Sequence, residues 1–279
     1  MSVEPLVIGL VAAPLVAIAV CLAFRRAHVA EFANLISAVI VFACAAPIPF
    51  LLHGQEVYFG ARYVGVDPLG AWVVLCTAIV YLLASIYAVG YMRMVGEDDR
   101  LFQFYALFAG FALTTLVGPL MNNVGLFWIA IELTTLVSTF LVAFERAAES
   151  MEAAWKYIMI VSAGISLALL ATILFYWAGT FVLGPSYDMT WDVLGAAASR
   201  MNPGLLILAF LLALVGYGTK VGLAPMHSWL PDAHSESPAP VSALLSGALL
   251  NTAMVGIVRF LHITRQAALG PTPQLALVA

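Results

Sequence analysis

Apolar residues dominate this chain in long runs separated by short polar stretches, without the alternation of apolar and polar positions that marks a soluble core. Eight such runs lie near 5–24, 31–52, 68–92, 101–120, 124–144, 153–178, 204–225 and 240–262. Each is long enough, at a helical rise of about 1.5 Å per residue, to cross a hydrocarbon core of about 30 Å. The pattern predicts an all-α integral membrane protein with about eight transmembrane helices. Between the second and third runs, VYFGARYVGVD alternates with a period of two and predicts a short extracytoplasmic hairpin within 53–67. The segment 179–203 is polar enough for a loop, with a short interfacial helix near Trp191 to Ala198. The first run has no basic stretch ahead of it and no small-residue cleavage site behind it; Arg25 and Arg26 follow instead. It therefore reads as a first span rather than a leader.

Composition agrees: 63% of the 279 residues are hydrophobic and 9% charged, against about 25% charged in soluble domains. A net charge of −4 says little about partners when most of the surface faces lipid, and no basic stripe suggests nucleic acid. Cys21, Cys44 and Cys76 are scattered through apolar runs without C-x-x-C spacing, which predicts neither disulfides nor cluster ligands, so no redox centre is expected in this chain. Arginines give an orientation. Arg25, Arg26, Arg93, Arg100 and Arg146 follow odd-numbered spans, whereas Arg62 and Arg200 follow even-numbered ones. Five against two places the N-terminus outside and the 220–240 region at the cytoplasmic face.

Ionisable residues inside these runs carry the candidate chemistry, because a charge at the centre of a membrane helix costs about 2.5–3.5 kcal/mol on insertion scales. The chain has two lysines, Lys156 and Lys220. Lys220 lies roughly 22 Å into the seventh span by helical rise, among Gly216, Gly218 and Gly222 and ahead of Pro225. Those residues predict a weakened or broken helix, and broken helices at membrane depth line cavities and ion sites. The alternative is a lysine snorkelling to the interface. Glu132 is roughly 13–14 Å deep in the fifth span, too far for a short carboxylate to snorkel, with Thr134, Thr135 and Ser138 nearby. Either it is a neutral, packed acid or it is functional, and then its best partner is Lys220. Lys156, about one turn inside the sixth span beside Trp155 and Tyr157, is explained by snorkelling or by function. His227, Asp232 and His234 form a titratable group after Lys220. They suit a proton relay or an ordered polar loop, and their spacing matches no common zinc site. Asn251 in the eighth span bridges through water or bonds a neighbouring helix.

The run GYGTKVGLAPMHSWLPDAHSESPAPVSALLSGALLN, residues 216–251, resembles the core motif of the antiporter-like membrane subunits of complex I, Mrp-type cation/proton antiporters and group 4 [NiFe] hydrogenases. DPLGAWVVLCTAIVYLLASIYAVGYM, NNVGLFWIAIELTTLVSTFLVAF and EAAWKYIMIVSAGISLALLATILFY fit the same family, so the likeness covers most of 67–262. The WKY of the sixth span and LLN at 249–251 are most similar to the hydrogenase-4 component F branch. Asn251 stands where complex I relatives often carry lysine or histidine, which tells against a lysine-to-lysine relay through the eighth span.

The resemblance implies the first half of an antiporter-like inverted-repeat fold with a broken seventh helix. Residues 1–100 would be an N-terminal three-helix region with the hairpin, 101–262 the first repeat, and 263–279 the start of a second half. It implies that Glu132, Lys156, Lys220, His227 and His234 transfer protons or sodium ions, supported by Asp232, Asn251, Pro225, Gly218 and Gly222, with no metal. Separating Glu132 from Lys220 would loosen the lysine's hold on its proton, and re-pairing would restore it. The implied function is H⁺ or Na⁺ translocation in an energy-converting oxidoreductase of hydrogenase, formate-hydrogenlyase or NADH-dehydrogenase type in the plasma membrane. Partners would be other membrane subunits and a peripheral redox arm holding Fe–S clusters and a [NiFe] centre or quinone site, with no cofactor in this chain. A Mrp-type antiporter subunit without redox partners and a structural membrane anchor are the alternatives.

Overall fold

The computed structural model describes residues 3–96 and 98–267. Among these, eight helical segments are long and apolar enough to cross a membrane. Helices α1 (Glu4–Phe24) and α2 (Ala27–Ala45) form an antiparallel pair, and one further turn, α3 (Ile48–Leu51), extends the second. The expected hairpin follows: β1 (Val57–Phe59) pairs antiparallel with β2 (Val64–Val66), Val57 opposite Val66. Four long helices come next, α4 (Pro68–Val95), α5 (Leu101–Leu120), α6 (Val124–Val142) and α7 (Ala148–Leu183). The segment after α7 carries the predicted short helix, α8 (Trp191–Ala197). Helix α9 (Pro203–Val221) stops early, and the chain resumes in α10 (Trp229–Glu236). Helices α11 (Ala239–Leu244) and α12 (Leu250–Gln266) make one span, joined by a π-helical turn over Leu245–Leu249.

Local chemistry sets these boundaries. Asp67, Asn123 and Asn202 cap α4, α6 and α9, their side chains accepting from the backbone N–H of Gly70 (2.9 Å), Leu126 (3.0 Å) and Leu205 (3.2 Å). Proline stands in the first turn of α4 and α9, where its missing N–H costs nothing. Helix α7 runs 36 residues, well beyond the apolar run 153–178, because Glu149 and Glu152 continue the helix into the polar layer and no proline interrupts it before Gly184. The π-turn in the eighth span lies at Ser246-Gly247, a weak helix pair inside an otherwise continuous run.

The turns sort into two ends. One end gathers the hairpin, α8 and the last turns of α12. Val64 bridges Met121 and Asn123 bridges Thr190, while Arg259 donates to Asp67 (2.8 Å) and to the carbonyls of Pro119 (2.9 Å) and Met121 (3.3 Å). The opposite end carries the turns at Arg25-Arg26, at 98–100 and at 143–147, together with α10. The expected start of a second half at 263–279 falls mostly outside the described residues, of which the last is Ala267.

Candidate functional site

The break after Val221 is built by Gly222, whose φ of +82° ends α9 in the left-handed conformation that glycine adopts without strain. Leu223 N–H then bonds the Gly218 carbonyl at 2.8 Å, and Gly222 N–H the Thr219 carbonyl at 3.2 Å, the pairing of a Schellman stop. A Cβ on Gly222 would also meet Leu230 Cδ1 at 2.4 Å, which the leucine tip would have to turn away from, so the requirement for glycine rests on the positive φ. Leu223 lies over Gly218, where a Cβ would come within 3.3 Å of its Cδ1. The Trp229 indole donates to the Thr219 carbonyl at 2.8 Å, so α10 itself satisfies a backbone group freed by the break. Pro225 follows in the exposed turn between the two half-helices.

Lys220 occupies the last turn of α9 and is fully buried. Two glycines put it there. A Cβ on Gly216 would come within 2.5 Å of the Ala168 nitrogen, and one on Gly164 within 2.5 Å of Thr219 Cβ, so α7 and α9 meet at backbone distance. The amine donates to Thr135 Oγ1 on α6 (2.9 Å) and to the Tyr157 hydroxyl on α7 (2.8 Å). Tyr157 is 2.7 Å from Ser138 Oγ, which donates to the Thr134 carbonyl at 2.6 Å. A continuous string of hydroxyls therefore leads from the amine into α6. The Tyr157 ring packs on Trp229, with centroids 4.8 Å apart, which ties the string to the half-helix beyond the break.

Glu132 and Lys220 form no hydrogen bond or ion pair, but Glu132 is the carboxylate that acts on the Lys220 amine through charge, so the partnership expected from the sequence is electrostatic rather than bonded. Glu132 Oε1 instead accepts from Ser162 Oγ on α7 at 3.1 Å, while its Oε2 is buried without a hydrogen-bond partner. Thr135 shares the Glu132 face of α6 but lies about 4.5 Å further along the axis, level with the lysine, and is the acceptor there. Glu132 on α6 and Lys220 on α9 nonetheless both bond to α7, through Ser162 and Tyr157.

The remaining candidates lie toward the α10 end. Lys156 bonds Glu152 (2.8 Å) and Asp232 (2.9 Å), with its side chain about half exposed, so it clips α10 onto α7. His227 is exposed in the turn. His234 is half-buried, its Nδ1 2.8 Å from Ser242 Oγ, and burial holds its ring below the ordinary histidine value. Asn251 is exposed and donates to the Gly247 carbonyl of its own helix (2.8 Å), so it bonds across the π-turn rather than to a neighbouring helix. The structure thus brings Lys220 and the hydroxyls together, places Lys156 and Asp232 in a separate pair, and sets Asn251 apart. Tyr157, Ser162 and Trp229 are the members of the site that sequence reasoning did not assign to it. Among the described residues, no group of three or more His, Cys, Asp or Glu could hold a metal ion, and all three cysteines are free thiols.

The family described as "NADH:quinone oxidoreductase/Mrp antiporter, TM" matches residues 121–278. The chain is 47% identical over 140 residues to a "Hydrogenase-4 component F homolog" of Methylacidiphilum infernorum, covering 50% of this chain and 29% of that one. It is 32% identical over 195 residues to "Hydrogenase-4 component B" of Escherichia coli, covering 69% of this chain and 27% of that one. The chain therefore spans less than a third of the length of either relative. Its fold is similar to that of a chain of the membrane-bound sulfane sulfur reductase, an archaeal respiratory membrane complex, with a TM-score of 0.81 at 20% identity, covering 93% of this chain and 53% of that one. With the family match extending over more than half its length and eight apolar helices around a buried lysine, this chain is a multi-pass membrane protein that belongs to the NADH:quinone oxidoreductase/Mrp antiporter transmembrane family.

Proposed function

We propose that this chain belongs to an ion-translocating membrane subunit of an energy-converting oxidoreductase complex, and that Lys220 is its central proton carrier. The observation that carries the proposal is the fully buried Lys220 amine at the break of α9, held by two hydroxyls and touched by no carboxylate. An amine held only by neutral donors and acceptors can give up and regain a proton without breaking an ion pair. Glu132, with one buried oxygen lacking a partner, is the neighbouring station. A charge arriving at or leaving it shifts the electrostatic balance at Lys220 through a poorly screened interior. Lys156, Asp232, His227 and His234 form the mouth of the path on the α10 side.

On this reading the electrons flow elsewhere. Fe–S clusters with a [NiFe] centre or a quinone site belong to partner subunits and a peripheral arm, and the work reaches this chain as motion of charge. The names of the two hydrogenase-4 relatives favour a hydrogenase-like complex over a Mrp-type antiporter. The chain is oriented with the α10 end on the cytoplasmic side of the plasma membrane. All seven basic residues of the Arg25, Arg26, Arg93, Arg100, Arg146, Lys156 and Lys220 set lie toward that end, against Arg62, Arg200, Arg259 and Arg265 at the other.

The test is to reconstitute the assembled complex in vesicles and follow electron transfer together with H⁺ and Na⁺ movement. Translocation that starts with the electron donor and stops with it supports the redox-driven reading. Ion exchange driven by a gradient alone, in a complex without redox centres, contradicts it in favour of the antiporter.

A further inference from the structure

Away from the Lys220 site, an apolar groove of about 680 Å³ runs along the paired helices α1 and α2. It extends from Gly9 to Val20 on α1 and from His28 to Ile40 on α2. Gly9, Ala12, Ala13 and Ala17 leave little side-chain bulk on the α1 side, while Phe32 and Ile36 wall the other. Eleven residues of helical rise make the groove roughly 16 Å long, close to half of the ~30 Å hydrocarbon core. It therefore matches one leaflet. A transmembrane helix of another subunit would cross both leaflets, whereas an acyl chain ends at the midplane.

Charge selects the headgroup. The groove opens at His28, beside the α1–α2 turn that carries Arg25 and Arg26, all three exposed. Glu31, the nearest acid on α2, does not cancel them, because it is buried and paired with Arg93 at 2.6 Å. The far end, at Gly9 and Ile40, is lined by no charged residue. We propose that this groove is a binding site for an anionic phospholipid, with one acyl chain between α1 and α2 and the headgroup phosphate on Arg25 and Arg26. Basic residues at the surface of a membrane attract anionic lipid by a factor of about five each, and the groove supplies the shape that makes the attraction local.

The experiment uses the assembled complex in nanodiscs, with phosphatidylglycerol or phosphatidylcholine carrying the same photoreactive acyl chain. The expected result is labelling of the 9–20 and 28–40 segments by phosphatidylglycerol in clear excess over phosphatidylcholine. Arg25→Gln with Arg26→Gln should weaken the phosphatidylglycerol signal roughly 25-fold, as two factors of five imply. Ala12→Phe, at an exposed position where the new ring fills the groove without entering the protein core, should suppress labelling by either lipid. Equal labelling by the two lipids, or labelling unchanged in both variants, would overturn the proposal. So would a disulfide between a cysteine placed at Ala12 and a partner subunit's helix, which would identify a protein occupant.

Discussion

The Lys220 amine and the Tyr157 hydroxyl lie 2.8 Å apart, one on the last turn of α9 and the other on α7. Tyr157 is also the link from the lysine to Ser138 and, through its ring, to Trp229. Tyr157→Phe keeps the ring and removes only the hydroxyl. The expected outcome is an assembled complex whose translocation rate falls by about tenfold or more, the scale of one hydrogen bond to a charged group. Stopped-flow measurement of vesicle acidification checks this, and an unchanged rate would remove Tyr157 from the path.

How much of this could be read beforehand differs from residue to residue. Lys220 stood out because a lysine among glycines inside an apolar run has few explanations, and Gly222 does end the helix as that setting implied. The hairpin and α8 were visible through alternation and polarity. The charge relation of Glu132 to Lys220 was legible, but the bonded partner was not, because depth counted along two separate helices does not fix their axial register; the lysine meets Thr135. Tyr157 looked like an interfacial aromatic, since nothing in the sequence told that α10 would fold back over it. The α7–α9 approach through Gly164 and Gly216 is equally a tertiary fact: glycine spacing allows it but does not name the partner helix.

The Lys156 pair makes a contrasting prediction. Its partners Glu152 and Asp232 need a positive charge, not a removable proton. Lys156→Arg should therefore retain translocation near the wild-type rate, while Lys156→Gln should loosen α10 and lower it only partly, since an exposed ion pair contributes little in water. If Lys156→Arg were as inactive as Lys220→Arg, then Lys156 carries a proton itself.

Acid should loosen the joint between α10 and α11. Burial lowers the proton affinity of His234 relative to an ordinary histidine of 6.5. The unfolded form then binds more protons, so the neutral-ring packing is fully present above 6.5 and is lost as pH falls through the lower folded value. Hydrogen exchange across residues 229–244 should rise below that pH in the wild type and stay flatter in His234→Gln. Identical profiles would show that His234 does not control the joint.

Orientation is open to a direct check. With the three native cysteines replaced, a single cysteine at Gln55, beside the hairpin, should react with an impermeant reagent in intact cells. One at Arg146, at the α10 end, should react only after lysis. The reverse pattern would invert the topology and move the mouth of the path to the outer face.

The central claim is that Lys220 carries the translocated proton. Moving one charge across the membrane potential is worth about 2.3 kcal/mol per 100 mV, so the carrier's hold on its proton must change during turnover. The decisive measurement is the number of ions moved per electron pair in vesicles bearing the assembled complex with Lys220→Met. Methionine fills the stem's volume and tolerates the buried site, so the complex should assemble and transfer electrons while moving no ions. Lys220→Arg should fail likewise, because a guanidinium does not release its proton at accessible pH. If Lys220→Met moves ions at the wild-type ratio, Lys220 is a structural cation and the translocation path runs elsewhere.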